Sequence, residues 1–124
     1  NFNKNIHDKI IDFIRLISLS QNIAISSNLG ENILFDRISK EFSLNKNILF
    51  LKSPDFSNLI SIIYHSKTCI SSHSGFIVHL AACYNKNIID IVHQSIFNEL
   101  DRWIPLNAIY KRYSLDDIEK INLD

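Results

Sequence analysis

Short apolar runs of strand length alternate along this chain with stretches whose apolar residues recur at helical spacing, and that alternation constrains the fold more than any single residue does. Residues 6–20, IHDKIIDFIRLISLS, put Ile6, Ile10, Phe13, Ile14 and Ile17 on one helical face. NIAISSN (22–28) is a short β-rich run. Gly30 and Glu31 then open a second helical pattern that continues through Phe42, with Ile33, Leu34, Ile38 and Phe42 apolar. NILFL (47–51) is an uninterrupted apolar run ended by Lys52, Ser53 and Pro54. In DFSNLISIIYHS (55–66), Asp55 or Ser57 caps a helix presenting Phe56, Leu59, Ile60 and Ile63. The cycle repeats with TCISS as a strand, residues 76–84 as a helix and NIIDIV (87–92) as another strand.

Strands that alternate with amphipathic helices imply parallel βαβ units, because a parallel neighbour is reached only through a crossover and both faces of the sheet are then covered. The expectation is therefore an α/β fold with a Rossmann-like, doubly wound parallel sheet of about four strands and helices on both faces. The tail is less regular. IFNELDRWIPLNAIYKRY reads as loop and short helix, and SLDDIEKIN (114–122) ends the chain in a helix behind a capping serine. Neither a repeat nor a linker divides the chain, so residues 1–124 are read as one domain.

Composition excludes several function classes. Thirteen basic residues balance thirteen acidic ones, and no stretch gathers lysine and arginine with aromatics, so a nucleic-acid partner is not expected. Cys69 and Cys83 are the only cysteines; each sits among apolar residues and reads as core filler in a reducing compartment. No apolar run is long enough to span a bilayer, and NFNKNIHDK lacks a signal-peptide hydrophobic region, so a cytoplasmic chain with at most peripheral membrane contact is expected. The sequence has no methionine, which suits a mature product or a piece of something longer.

SSHSG (71–75) is the stretch with the clearest chemistry. Ligands of open parallel sheets gather beyond the carboxyl ends of strands, where loops run into helix N-termini. Ser71, Ser72 and Ser74 bring hydroxyls to such a junction, and Gly75 admits close backbone approach. The first turn of the next helix offers amides and a partial positive charge, which binds phosphate without any net basic charge. The same pattern also describes a serine-capped helix with a glycine for tight packing.

SSHSGFIVHLAACYNKNIIDIV (71–92) resembles the signature of glycosyltransferase family 9, the heptosyltransferase-like enzymes. That signature has an Asn-Asp-Thr-Gly or Asn-Asp-Ser-Gly turn, three residues, then His-Leu-Ala-Ala and a strand. Gly75, His79, Leu80, Ala81 and Ala82 match it in register. SNLISIIYHSKTCIS is similar to the family's preceding helix and strand, Arg102, Trp103 and Pro105 resemble its Arg-Trp-x-Pro segment, and Gly30 and Glu31 resemble its glycine-and-glutamate turn.

The resemblance implies the C-terminal, nucleotide-sugar-binding half of a two-domain GT-B glycosyltransferase, with the acceptor lobe and general base on an N-terminal domain. It implies transfer from a nucleotide diphosphate sugar to a surface glycan or lipopolysaccharide-type acceptor, in the cytoplasm or at the inner face of the membrane. No further cofactor or metal is implied, and the half alone would be inactive. Ser72, His73, Ser74, Gly75, Phe76 and His79 would bind the donor diphosphate, Gly30 and Glu31 the nucleoside, and no catalytic residue is assigned. Two departures stand out. His73 occupies the aspartate position and cannot accept hydrogen bonds from sugar hydroxyls as a carboxylate does. VHQSIF (92–97) replaces the family's Phe-Gly-Pro-Thr, without its glycine. A non-catalytic Rossmann-like module that binds a ligand or a protein is the alternative.

Other side chains read more plainly. His79 either touches the phosphate turn or is a partly buried helix histidine bonded to backbone, and His73 and His93 end successive strands. His7 and His65 read as solvated helix positions, and no compact metal-ligand spacing exists. Glu31 also suits a first-turn dipole partner, Trp103 either floors a cleft or anchors the tail, and Asp116 and Asp117 supply helix-start charge.

Overall fold

The computed structural model describes residues 2–27, 32–72, 75–99 and 101–123, with backbone alone at 2–5 and 102. Its contacts fall into two compact units, Asn1–Leu59 and Ile60–Asp124. Both are built from parallel strands flanked by helices, so the Rossmann-like α/β class expected from the alternation is what the chain adopts. Among the described residues no helix is long and apolar enough to cross a membrane.

The first unit contains α1 (Phe2–Ser18), β1 (Ile23–Ser26), α2 (Ile33–Glu41) and β2 (Ile48–Leu51). β1 and β2 pair in parallel, from Ile23 opposite Ile48 to Ser26 opposite Leu51, and α2 is the crossover that makes this possible. Ile11 and Ile14 of α1 pack with Ile38, Phe42 and Ile48 to form the core. Ile11 is thus among the deepest residues of α1, while Ile6, Phe13 and Ile17 of the expected stripe are half-buried. The buried row runs 11, 14, 18, ending at Ser18, whose hydroxyl accepts from the Asn45 amide at 3.1 Å while its carbonyl accepts from Asn47 at 3.0 Å. α2 is capped by Asn32, which accepts from the Phe35 amide at 2.9 Å. Gly30 and Glu31, expected to open this helix, lie outside the described residues.

α3 (Phe56–His65) carries the chain across the boundary between units. Of the two candidate caps, Asp55 serves, accepting from the Asn58 amide at 2.8 Å. The second unit continues with β3 (Thr68–Ser71), α4 (Gly75–Cys83), β4 (Asn87–Val92) and β5 (Ile109–Ser114), and a 3-10 helix spans Leu115–Lys120. Its sheet has the order β3-β4-β5, all parallel. Ile88, Ile89, Asp90 and Val92 of β4 are buried, as a central strand covered on both faces requires.

β5 corrects the reading of the tail as loop and short helix, and brings the strands among the described residues to five, in a two-stranded and a three-stranded sheet, where one sheet of about four was expected. IYKRYS has no apolar run to announce a strand; it alternates exposed Ile109 and Lys111 with half-buried Tyr110 and Arg112, the pattern of a sheet-edge strand. The expected capping serine is present: Ser114 accepts from the Asp116 amide at 3.2 Å, with Asp116 and Asp117 in the first turn.

α4 ends without a glycine. Asn85 takes φ 56°, its amide donates to the Ala82 carbonyl at 3.0 Å, and the Lys86 amide donates to the Ala81 carbonyl at 3.0 Å. This is a Schellman closure with asparagine in the left-handed position, and it fixes the turn that launches β4. Asn85→Ala is expected to lower stability by about 1 kcal/mol and Asn85→Gly to preserve it, measured by urea unfolding.

Candidate functional site

The turn after β3 delivers the chain to the N-terminus of α4 at the carboxyl end of a parallel strand. Val78 and Ala81 turn inward, at 3% and 0% exposure, so the helical period leaves Gly75, Phe76 and His79 on the outer face. Three of the residues assigned to phosphate binding, Gly75, Phe76 and His79, therefore share one exposed helix face, and a fourth, Ser72, is exposed just past β3. His73 and Ser74, together with Gly30 and Glu31, lie outside the described residues.

Two of the plainer readings of this turn do not hold. Among the described residues a Cβ added at Gly75 would meet nothing within 4 Å, and its φ is outside the left-handed range, so neither tight packing against them nor backbone strain requires glycine there. His79 is exposed, which removes the reading as a partly buried helix histidine. α4 begins at Gly75, so the positive end of its helix dipole lies there.

The end of β4 is organised by its neighbours. His93 is exposed, and its Nδ1 accepts from the Ser95 amide at 3.1 Å, which caps a 3-10 turn at Gln94–Ile96. A second 3-10 turn covers Asp101–Trp103. Trp103 is 58% exposed and so forms no buried anchor, whereas Pro105 is buried. The side chain of Arg102 lies outside the described residues.

Sequence reasoning missed the polar group behind these turns. Register places Ser71, Asp90 and Arg112 in one row across β3, β4 and β5, with Tyr110 on the same face two residues before Arg112. Asp90 is 1% exposed and accepts from the Tyr110 hydroxyl at 2.7 Å. That hydroxyl in turn accepts from Arg112 Nε at 3.0 Å. Arg112 Nη1 donates to the Phe97 carbonyl and, at 2.7 Å, to Asp101. The only sequence signal was an aspartate inside the apolar run NIIDIV, since a charge buried in a central strand demands partners.

Burial pushes the Tyr110 hydroxyl up to about 12; the hydrogen bond from Arg112 opposes this and that to Asp90 adds to it. Burial, with the Asp90 charge in support, pushes the Cys69 thiol up to about 11. Cys69 is therefore an inert thiol, as expected of core filler. Cys83 is not core filler; it is exposed on the outer face of α4.

His65 is exposed, as expected, and its Nδ1 lies 2.7 Å from the Ser61 carbonyl, whereas His7 is half-buried on α1 rather than solvated. Among the described residues, no three His, Cys, Asp or Glu side chains converge as metal ligands. A cavity of about 170 Å3 lies at the amino ends of the strands, between Thr68, Asn87, Ile109, Lys111, Asn122 and Leu123. It is at the opposite end of the sheet from the α4 turn and has no part in that surface. No family model matches the chain, and no curated protein or solved structure shows significant similarity to it.

Two outcomes follow. Iodoacetamide at about pH 8 should label Cys83 and spare Cys69 in the folded protein, read by mass spectrometry of the peptides. Cys69 and Tyr110 hold their protons more tightly folded than unfolded. The stability they contribute is whole below 9.0 and 10.0 and is lost as pH rises through about 11 and about 12. Urea midpoints should therefore fall across that interval. Tyr110→Phe, which strips Asp90 of a donor, should start about 1–3 kcal/mol lower and fall less steeply.

Proposed function

We propose that the chain is the donor-binding domain of a glycosyltransferase, resembling family 9, that holds a nucleotide diphosphate sugar for transfer to a glycan or glycolipid acceptor carried by another domain. The observation that carries this reading is the exposed face of α4 that bears Gly75, Phe76 and His79, on the helix that follows the carboxyl end of β3. Gly75 matters most, because nothing in its packing against the described residues asks for it. A backbone that must admit a phosphate supplies the reason.

In this reading the amides of the first turn and the hydroxyls of residues 72 and 74 stabilise the charge that grows on the leaving diphosphate. Aimed amides in a fixed turn need no reorganisation as charge develops. His79, one turn on, is placed to donate to a phosphate oxygen. Gly30 and Glu31 are proposed for the nucleoside, and no metal or further cofactor is invoked.

A second reading, a non-catalytic module with a decayed donor site, is favoured by the segment after β4. There His93 caps its own turn, and Arg112 of β5 holds the Phe97 carbonyl and Asp101.

Titration with ADP, UDP, GDP and CMP, followed by amide NMR with and without magnesium, separates the two. The donor reading expects saturable shifts at Ser72 and residues 75–79 with one diphosphate. Gly75→Ala sharpens the test: the fold should gain about 0.5–1 kcal/mol while nucleotide binding weakens. Absence of any shift at millimolar nucleotide would favour the module.

A further inference from the structure

Arg112 is the described side chain whose polar groups are least well answered. Its side chain is only 7% exposed, yet its Nη2 has no hydrogen-bond partner among the described residues. A buried donor left unmatched costs about 1–3 kcal/mol, so its persistence asks for an acceptor. The rest of the guanidinium is held from three directions: Nε by the Tyr110 hydroxyl, Nη1 by the Phe97 carbonyl and Nη1 again by Asp101. The Phe97 and Tyr110 rings each lie 5.5 Å from its Cζ, so the group is rigidly placed.

These contacts differ in strength. Tyr110 is backed by buried Asp90 and belongs to the sheet. Asp101, by contrast, is 69% exposed on a 3-10 turn, and an ion pair whose carboxylate stands in water contributes little. Asp101 is therefore the replaceable partner. It occupies Nη1 alone and leaves Nη2 unused, although the two Nη groups together match the paired oxygens of a carboxylate or phosphate.

The geometry points to Arg112 as the anchor of an anion subsite beside the end of β4, in which two oxygens of a phosphate group displace Asp101 and engage Nη1 and Nη2 together. Asp101 acts as an internal stand-in that keeps the fork closed when no anion is bound. Binding rests on the hydrogen-bond geometry of a single fork, and free phosphate binds on the order of millimolar. The inference is independent of the donor reading, since it needs only an anion and this one fork.

The test uses inorganic phosphate and, separately, UDP, with the Nε–H resonance of Arg112 as the probe. Wild type should show a saturable shift with phosphate. Asp101→Asn, a surface change, should tighten the apparent Kd about fivefold, the factor for removing one exposed competing pair. Arg112→Lys, checked for folding by its amide spectrum, should weaken it about tenfold as followed at the Phe97 amide, because a point charge cannot replace the fork. No saturable shift in either wild type or Asp101→Asn would overturn the proposal, as would an Asp101→Asn Kd that is unchanged or weaker. A UDP shift confined to residues 72–79 with none at Arg112 in either titration would overturn this subsite and leave the donor reading standing. A phosphate shift at Arg112 without any nucleotide shift at the α4 turn would do the reverse.

Discussion

Burying a carboxylate in the central strand of a parallel sheet obliges the rest of the second unit to answer it. Asp90 is 1% exposed between β3 and β5, where a lone charge would be prohibitively costly. Tyr110 answers it directly and Arg112 answers Tyr110, so β5 is bound to β4 by side chains as well as by its ladder. Arg112 then reaches out of the sheet to Phe97 and Asp101 and fixes the segment that follows β4. One buried group thereby sets the fifth strand and the path of the chain beyond the fourth.

The α4 turn is positioned by different physics. Val78 and Ala81 lock the helix against the sheet, and the Schellman closure at Asn85 sets its far end. What remains on the outer face is Gly75, Phe76, His79 and Cys83, set there by the helical period. The two candidate sites thus rest on separate supports. One is the exposed leftover of packing, and the other is the exposed end of a buried polar chain.

Apolar periodicity was enough to place four strands and four helices in order, because a run such as NILFL or a stripe such as Ile10 with Ile14 carries its burial in its own spacing. That a helix begins at Gly75, just after the strand that ends at Ser71, was legible for the same local reason. β5 was not legible, since IYKRYS owes its strand character to Tyr110 and Arg112 meeting β4. Asn32 and Asn85 as caps escaped notice because asparagine is common in this chain and only backbone geometry singles out those two. Cys69 and Cys83 both sit among apolar residues in the sequence, and only the structure shows that β3 turns Cys69 inward while the rotation of α4 leaves Cys83 outside.

The sequence by itself determined the α/β class, the order of its elements and the polar turn before α4, because each depends on residues that are near neighbours along the chain. Tertiary structure alone decided that Gly75 is free of packing demands from the described residues, that His79 faces outward, and that Asp90, Tyr110 and Arg112 form one connected group. Those residues lie up to 22 positions apart, and only the register of a parallel ladder brings them into a single row. Spacing along a chain reports local periodicity, while alignment between strands is settled by the collective burial of both faces of the sheet.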